Sequence, residues 1–199
     1  MQVQGIVHLN GRLSDTAVVL LHAVTGVDEN LLRHARIRPA ASNWLHAPWY
    51  PYSRGGALTL GRTIWFTRAW YRPDGLGDGS LHATYRWLLH LAHEAGHLPQ
   101  AHRFGLSLPG KARFVTAFAW QYGSRALLFR RPVHDGSPLE QEADIGRQVL
   151  LRMLQPLGER HPLVEAALHG DLAAVQAWCR AEGPLLLALL AEGRMALSA

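Results

Sequence analysis

The sequence predicts an α+β fold: a small twisted β-sheet or hairpin in the N-terminal half, one long central helix, and a helical C-terminal half. Three observations carry that prediction. Ala57–Leu60 and Thr63–Thr67 are short runs of strand-forming residues on either side of Gly61, the pattern of a hairpin or of a strand with a bulge. Leu81, Tyr85, Leu88, Leu89, Ala92 and Gly96 fall on one stripe at helical spacing. The stretch from Pro162 to Leu197 is rich in Ala and Leu, which also favours helix.

The elements follow in order. Residues 1–13 alternate loosely and contain an Asn10-Gly11 turn signal, which suits a short strand or arm. Ser14-Asp15 starts a helix through Ala17–Leu21, and Asp28–Arg36 forms a second short one. Pro39–Gly56 is dense in Pro, Trp and Tyr and reads as an ordered aromatic loop, because large aromatics seek packing partners. After a Gly/Asp loop at Asp74–Gly79, Ser80 is placed to cap a helix through His97. Pro99 is expected to stop that helix at Leu98, since proline removes one hydrogen bond and clashes one turn back. Helices are expected over Ala112–Phe129 and Leu139–Leu154. The Ala/Leu-rich tail is expected to break at Gly183-Pro184.

Hydrophobic residues make up 48% and charged residues 18%, the balance of a globular chain rather than a disordered one. A length of 199 residues suits one domain with a helical appendage, and we place the boundary so that 1–157 is the main domain and 158–199 a helical hairpin packed on it. The one cysteine, Cys179, excludes an internal disulfide and any cysteine-based metal site, so a metal here would need His and carboxylate ligands. The N-terminus has neither a basic region nor a long apolar core, which predicts a cytoplasmic chain and leaves export by a dedicated secretion system open. No run is long enough to span a bilayer, so no membrane partner is expected. The net charge of +5 comes from scattered arginines, a solvated surface rather than a nucleic-acid interface.

The residues that point to chemistry are His93-Glu94-Ala95-Gly96-His97. Positions four apart share a helix face, so His93 and His97 can aim ring nitrogens at one zinc ion. Glu94 lies about 100 degrees around the helix, where it can reach a zinc-activated water without being a ligand. A third protein ligand has to come from elsewhere in the chain. Glu140 is the candidate, with Asp144 one turn on to hold the outer N–H of a ligand histidine. The plainer reading of Glu140 and Asp144 is an acidic first turn that offsets the helix dipole. His102 and Glu142 are alternative ligands, and His90 faces the same way as His93. His134 and Tyr122 are candidate donors to a developing oxyanion.

His93-Glu94-x-Gly96-His97 followed by Glu140-x-x-Ala143-Asp144 resembles the gluzincin class of zinc metallopeptidases. More closely, Ala57–Phe66 followed by Leu91–Gln100 resembles the bacterial eCIS-core family, metallopeptidase-like domains found near extracellular contractile injection systems. The resemblance covers about residues 57–101, and more loosely the chain to about 150; Pro99 departs from it, standing where a helix-friendly residue is expected. It implies that 1–157 is a zincin-like domain whose long helix carries the active site. It also implies a β-element over Thr59–Thr67 that can pair with an extended peptide or protein substrate. Pro162–Trp178 is similar to the helix pair of a single ankyrin repeat, which cannot bury its faces alone.

The function expected is therefore a zinc-dependent hydrolase, specifically a peptidase that uses a zinc-bound water with Glu94 as general base. The competing expectation is a zinc-braced scaffold or interaction domain without turnover, closed by a fourth protein ligand such as His102 or His134.

Overall fold

The computed structural model describes residues 5–39, 56–67, 80–124 and 137–198, except for the side chain of Tyr122. The aromatic loop after Pro39, the Gly/Asp loop before Ser80, Leu127 and His134 lie outside the described residues. What is described is mostly helical with one three-stranded sheet, the α+β arrangement that the sequence predicts.

The chain enters through a tight reversal at Asn10-Gly11 that pairs Val7 with Leu13 as a single bridge rather than a strand. Ser14 caps α1 (Asp15–Thr25), its hydroxyl accepting from the Ala17 N–H, which satisfies one of the free donors of a helix start. Asp28 does the same for α2 (Glu29–His34). The strand β1 (Arg36–Pro39) follows directly. β2 (Ala57–Leu60) and β3 (Thr63–Phe66) form the expected antiparallel hairpin, turning at Gly61. β1 lies parallel to β3, giving the order β1-β3-β2 and leaving β2 at an edge among the described residues. Ile64 and Phe66 point into the core, and Phe66 stacks on Trp87 with ring centroids 4.9 Å apart.

The central helix α3 (Leu81–Phe104) begins at the Ser80 cap but runs past Pro99 for another turn. The expected stop at Leu98 is corrected by packing. A proline inside a helix costs about 3 kcal/mol. Gln100, the next residue, is fully buried and makes three hydrogen bonds, each worth about 1 kcal/mol. Ala101 is buried as well, and Phe104 meets Phe114 of α4 (Leu108–Ser124). Together these contacts offset the lost backbone bond. α4 starts four residues before the expected Ala112, and its expected end falls among residues that are not described.

α5 (Pro138–Leu154) crosses α3, and the close crossing depends on Gly96. A Cβ there would lie 2.5 Å from the Ala143 carbonyl oxygen and 2.6 Å from its Cα. Only a glycine lets the two backbones approach this far. A short 3₁₀ turn (Gly158–Arg160) leads to α6 (Pro162–His169) and then α7 (Leu172–Ser198).

The break in the tail falls at Gly170, which adopts φ +70, and not at Gly183-Pro184. α7 continues through Pro184 because residues on both sides of it are anchored: Val175 before it, Leu186 and Leu190 after it, all in the main core. Burying each of these apolar side chains contributes on the order of 2 kcal/mol, enough to outweigh one missing helix bond. Leu163, Val164 and Ala167 of α6 join the same cluster as Leu20, Leu21 and Val24 of α1 and Leu88, Leu91 and Ala92 of α3. None of the described helices is long and apolar enough to cross a membrane.

Candidate metal centre

The crossing of α3 and α5 brings together His93, His97 and Glu140. Their ligand-capable atoms all lie within 4.8 Å of one another. His93 Nε2 is 3.1 Å from Glu140 Oε2, and His97 Nε2 is 3.7 Å from the same oxygen. Nitrogen and oxygen ligands in a tetrahedral zinc shell sit about 3.3 Å apart, so these distances bracket the required spacing. The two rings stand one helical turn apart, nearly perpendicular, with centroids 5.0 Å apart.

The outer ring nitrogens are held so that both inner nitrogens face Glu140. His97 Nδ1 lies 2.8 Å from Gln100 Oε1. The Gln100 amide nitrogen is committed elsewhere, donating to the Leu139 carbonyl at 2.8 Å and to Glu142 Oε2 at 3.0 Å. That fixes the amide orientation, so Oε1 must accept and Nδ1 must carry the hydrogen. The lone pair of His97 is then on Nε2, facing Glu140. His93 Nδ1 is likewise held by Asp144 Oδ1 at 3.0 Å.

Asp144 is in turn fixed by Arg147, whose Nε approaches to 2.5 Å, and by the Gln148 amide at 2.8 Å. Burial alone would raise the Asp144 pKa, but its bonds with His93, Gln148 and Arg147 prevail and hold it down to about 2. Burial likewise disfavours a charged His93, yet the hydrogen bonds of Asp144 and Glu140 push that ring up to about 9. A proton then sits between His93 Nε2 and Glu140, where a metal cation would replace it. The donor set, the spacing and the two anchored outer nitrogens fit zinc.

The other expected candidates lie elsewhere. His102 is exposed near the end of α3 and does not join the ligand group found among the described residues. Glu142 bonds to Gln100 and to Arg103, the latter at 2.7 Å, so it supports the site from behind. His90 is half-buried and neutral at physiological pH; burial first, then the charges of Arg147, His93 and Arg86, lower its pKa to about 4. The side chain of Tyr122 and all of His134 are outside the described residues. Phe118 of α4 packs edge-on against the His97 ring at 5.3 Å and walls that side of the centre.

Glu94 stands apart from the ligands, as the helix geometry requires. It is buried, and its Oε2 accepts a hydrogen bond from the Thr59 hydroxyl at 2.7 Å. Thr59, Gln100 and Arg147 are the residues that motif reasoning missed. A signal existed for Gln100, since it lies three residues after His97 on the same helix. Thr59 reaches the helix from a distant strand, and no local spacing announces that.

Removing a ligand should cost more than loosening one. Glu140→Ala is therefore expected to lower zinc affinity more than Asp144→Asn, which should cost roughly 10–100-fold. Competition with a chromophoric chelator measures both. Intact affinity in Glu140→Ala, together with its loss in His102→Ala, would overturn the ligand set.

No known family model matches the chain, and neither does a curated protein or a solved structure.

Proposed function

We propose that the chain is a zinc-dependent peptidase of the gluzincin type, resembling the eCIS-core group. The observation that supports this most is the placement of Glu94. A buried carboxylate outside the ligand group stands in the same helical turn as His93 and His97, bonded to Thr59 of a strand at the edge of the described sheet. A purely structural metal site has no use for such a group.

His93, His97 and Glu140 would hold the zinc. Bound there, the metal would supply a Lewis acid that polarises a carbonyl and lowers the pKa of water toward neutrality. Glu94 takes the proton of the attacking water and hands it to the departing amine. Asp144 and Gln100 keep the two histidine rings in the tautomer and orientation that ligation needs.

β2 offers the seat for a substrate. The Thr67 N–H donates to the Gly56 carbonyl at 2.9 Å, which marks that facing pair as hydrogen-bonded. Antiparallel pairs alternate, so in the facing pairs Ala57–Phe66 and Thr59–Ile64 the strand backbones do not bond each other. The backbone groups of Ala57 and Thr59 therefore point outward from the sheet edge, and an extended peptide can bind there by main-chain hydrogen bonds.

The test is cleavage of an unstructured protein such as casein. Cleavage should stop on treatment with a chelator and return when zinc is added back. A zinc-loaded chain that cleaves nothing across a broad peptide library would instead favour the scaffold reading.

A further inference from the structure

Thr59 is almost fully buried although it belongs to an edge strand, because its side chain turns inward to α3. Its hydroxyl oxygen lies 2.7 Å from Glu94 Oε2 and 3.0 Å from the Glu94 backbone carbonyl. A hydroxyl has a single proton, and the carboxylate is both the nearer and the charged acceptor, so the bond goes there. Among the described residues no other hydrogen-bond donor meets that carboxylate. Glutamate has several rotamers of similar energy, and a general base acts only from the one within reach of its proton.

The geometry points to Thr59 as the positioning residue for Glu94, a role that rests on the peptidase reading. Thr59 then has two separate tasks. Its outward backbone groups lie on the edge that seats the substrate, and its inward hydroxyl fixes the base. The same strand that holds the peptide therefore sets the carboxylate beside it.

This division predicts how the kinetics respond. Thr59→Val keeps the backbone, the shape and the strand preference of the residue and removes only the hydroxyl. KM should therefore hold while kcat falls roughly 10–100-fold, the effect of losing one hydrogen bond to a charged group. Thr59→Ser restores the donor and should recover most of kcat. A residue that merely shaped the strand would disturb KM as well, and serine would not rescue it.

The experiment pairs these kinetics on casein-derived peptides with crystal structures of zinc-loaded wild type and Thr59→Val. The expected result is the kcat loss, its rescue by serine, and a Glu94 carboxylate displaced or spread over several rotamers in the valine variant. An unmoved carboxylate, or unchanged kcat in Thr59→Val, would overturn the proposal. Wild-type protein that cleaves no peptide would overturn the peptidase reading, and the carboxylate position would still decide the role of Thr59 separately.

Discussion

Glu94→Gln is expected to abolish cleavage while leaving the metal and the fold in place. The amide keeps the size of the side chain and still presents an oxygen to the Thr59 hydroxyl, 2.7 Å away in the wild-type chain. It cannot accept a proton from water at neutral pH, so general-base catalysis, worth roughly 100- to 10,000-fold, is lost. Glu94 lies outside the group formed by His93, His97 and Glu140, so zinc content should match wild type. Thermal stability should match or exceed it, because a buried charge has been removed. Peptide turnover, metal content and Tm measured on the same preparations give the comparison. Equal activity in the two proteins would assign the cleavage to a contaminant or to another site.

The parts of this fold that were legible in the sequence are those governed by local chemistry. Ser14, Asp28 and Ser80 each precede a helix and cap it through a side-chain oxygen, as their residue types suggest. The hairpin around Gly61 was visible because both of its strands and its turn lie within ten residues. The parallel strand β1 was not. Arg36-Ile37-Arg38-Pro39 has one buried apolar residue, and its partner β3 begins at Thr63, so pairing depends on tertiary contacts alone.

Both helix-internal prolines were misread for a related reason. Pro99 and Pro184 carry the local signal of a helix end, and the burial of their neighbours overrides it.

The candidate site divides along the same line. His93, Glu94 and His97 follow from spacing within one helix, and Glu140 and Asp144 from spacing within another. That the two sets face each other depends on Gly96 against Ala143, a contact between residues 47 positions apart. The motif supplied the glycine, but only the crossing of the helices explains it. Gln100 sits within reach of His97 on the same helix, but Thr59 was out of reach because it acts through a contact that only the folded chain creates.

Metal content tests whether His93, His97 and Glu140 bind one zinc ion. His97 is buried, and its Nε2 faces Glu140. A ligand that binds only the folded state stabilises it by about 4 kcal/mol at a thousandfold excess over Kd, so zinc should raise Tm in the wild type. Elemental analysis of purified wild type should find about one zinc per chain, while His97→Ala should lose most of the metal together with that Tm response. Wild-type protein that purifies without metal, and whose stability is indifferent to added zinc, would contradict the account.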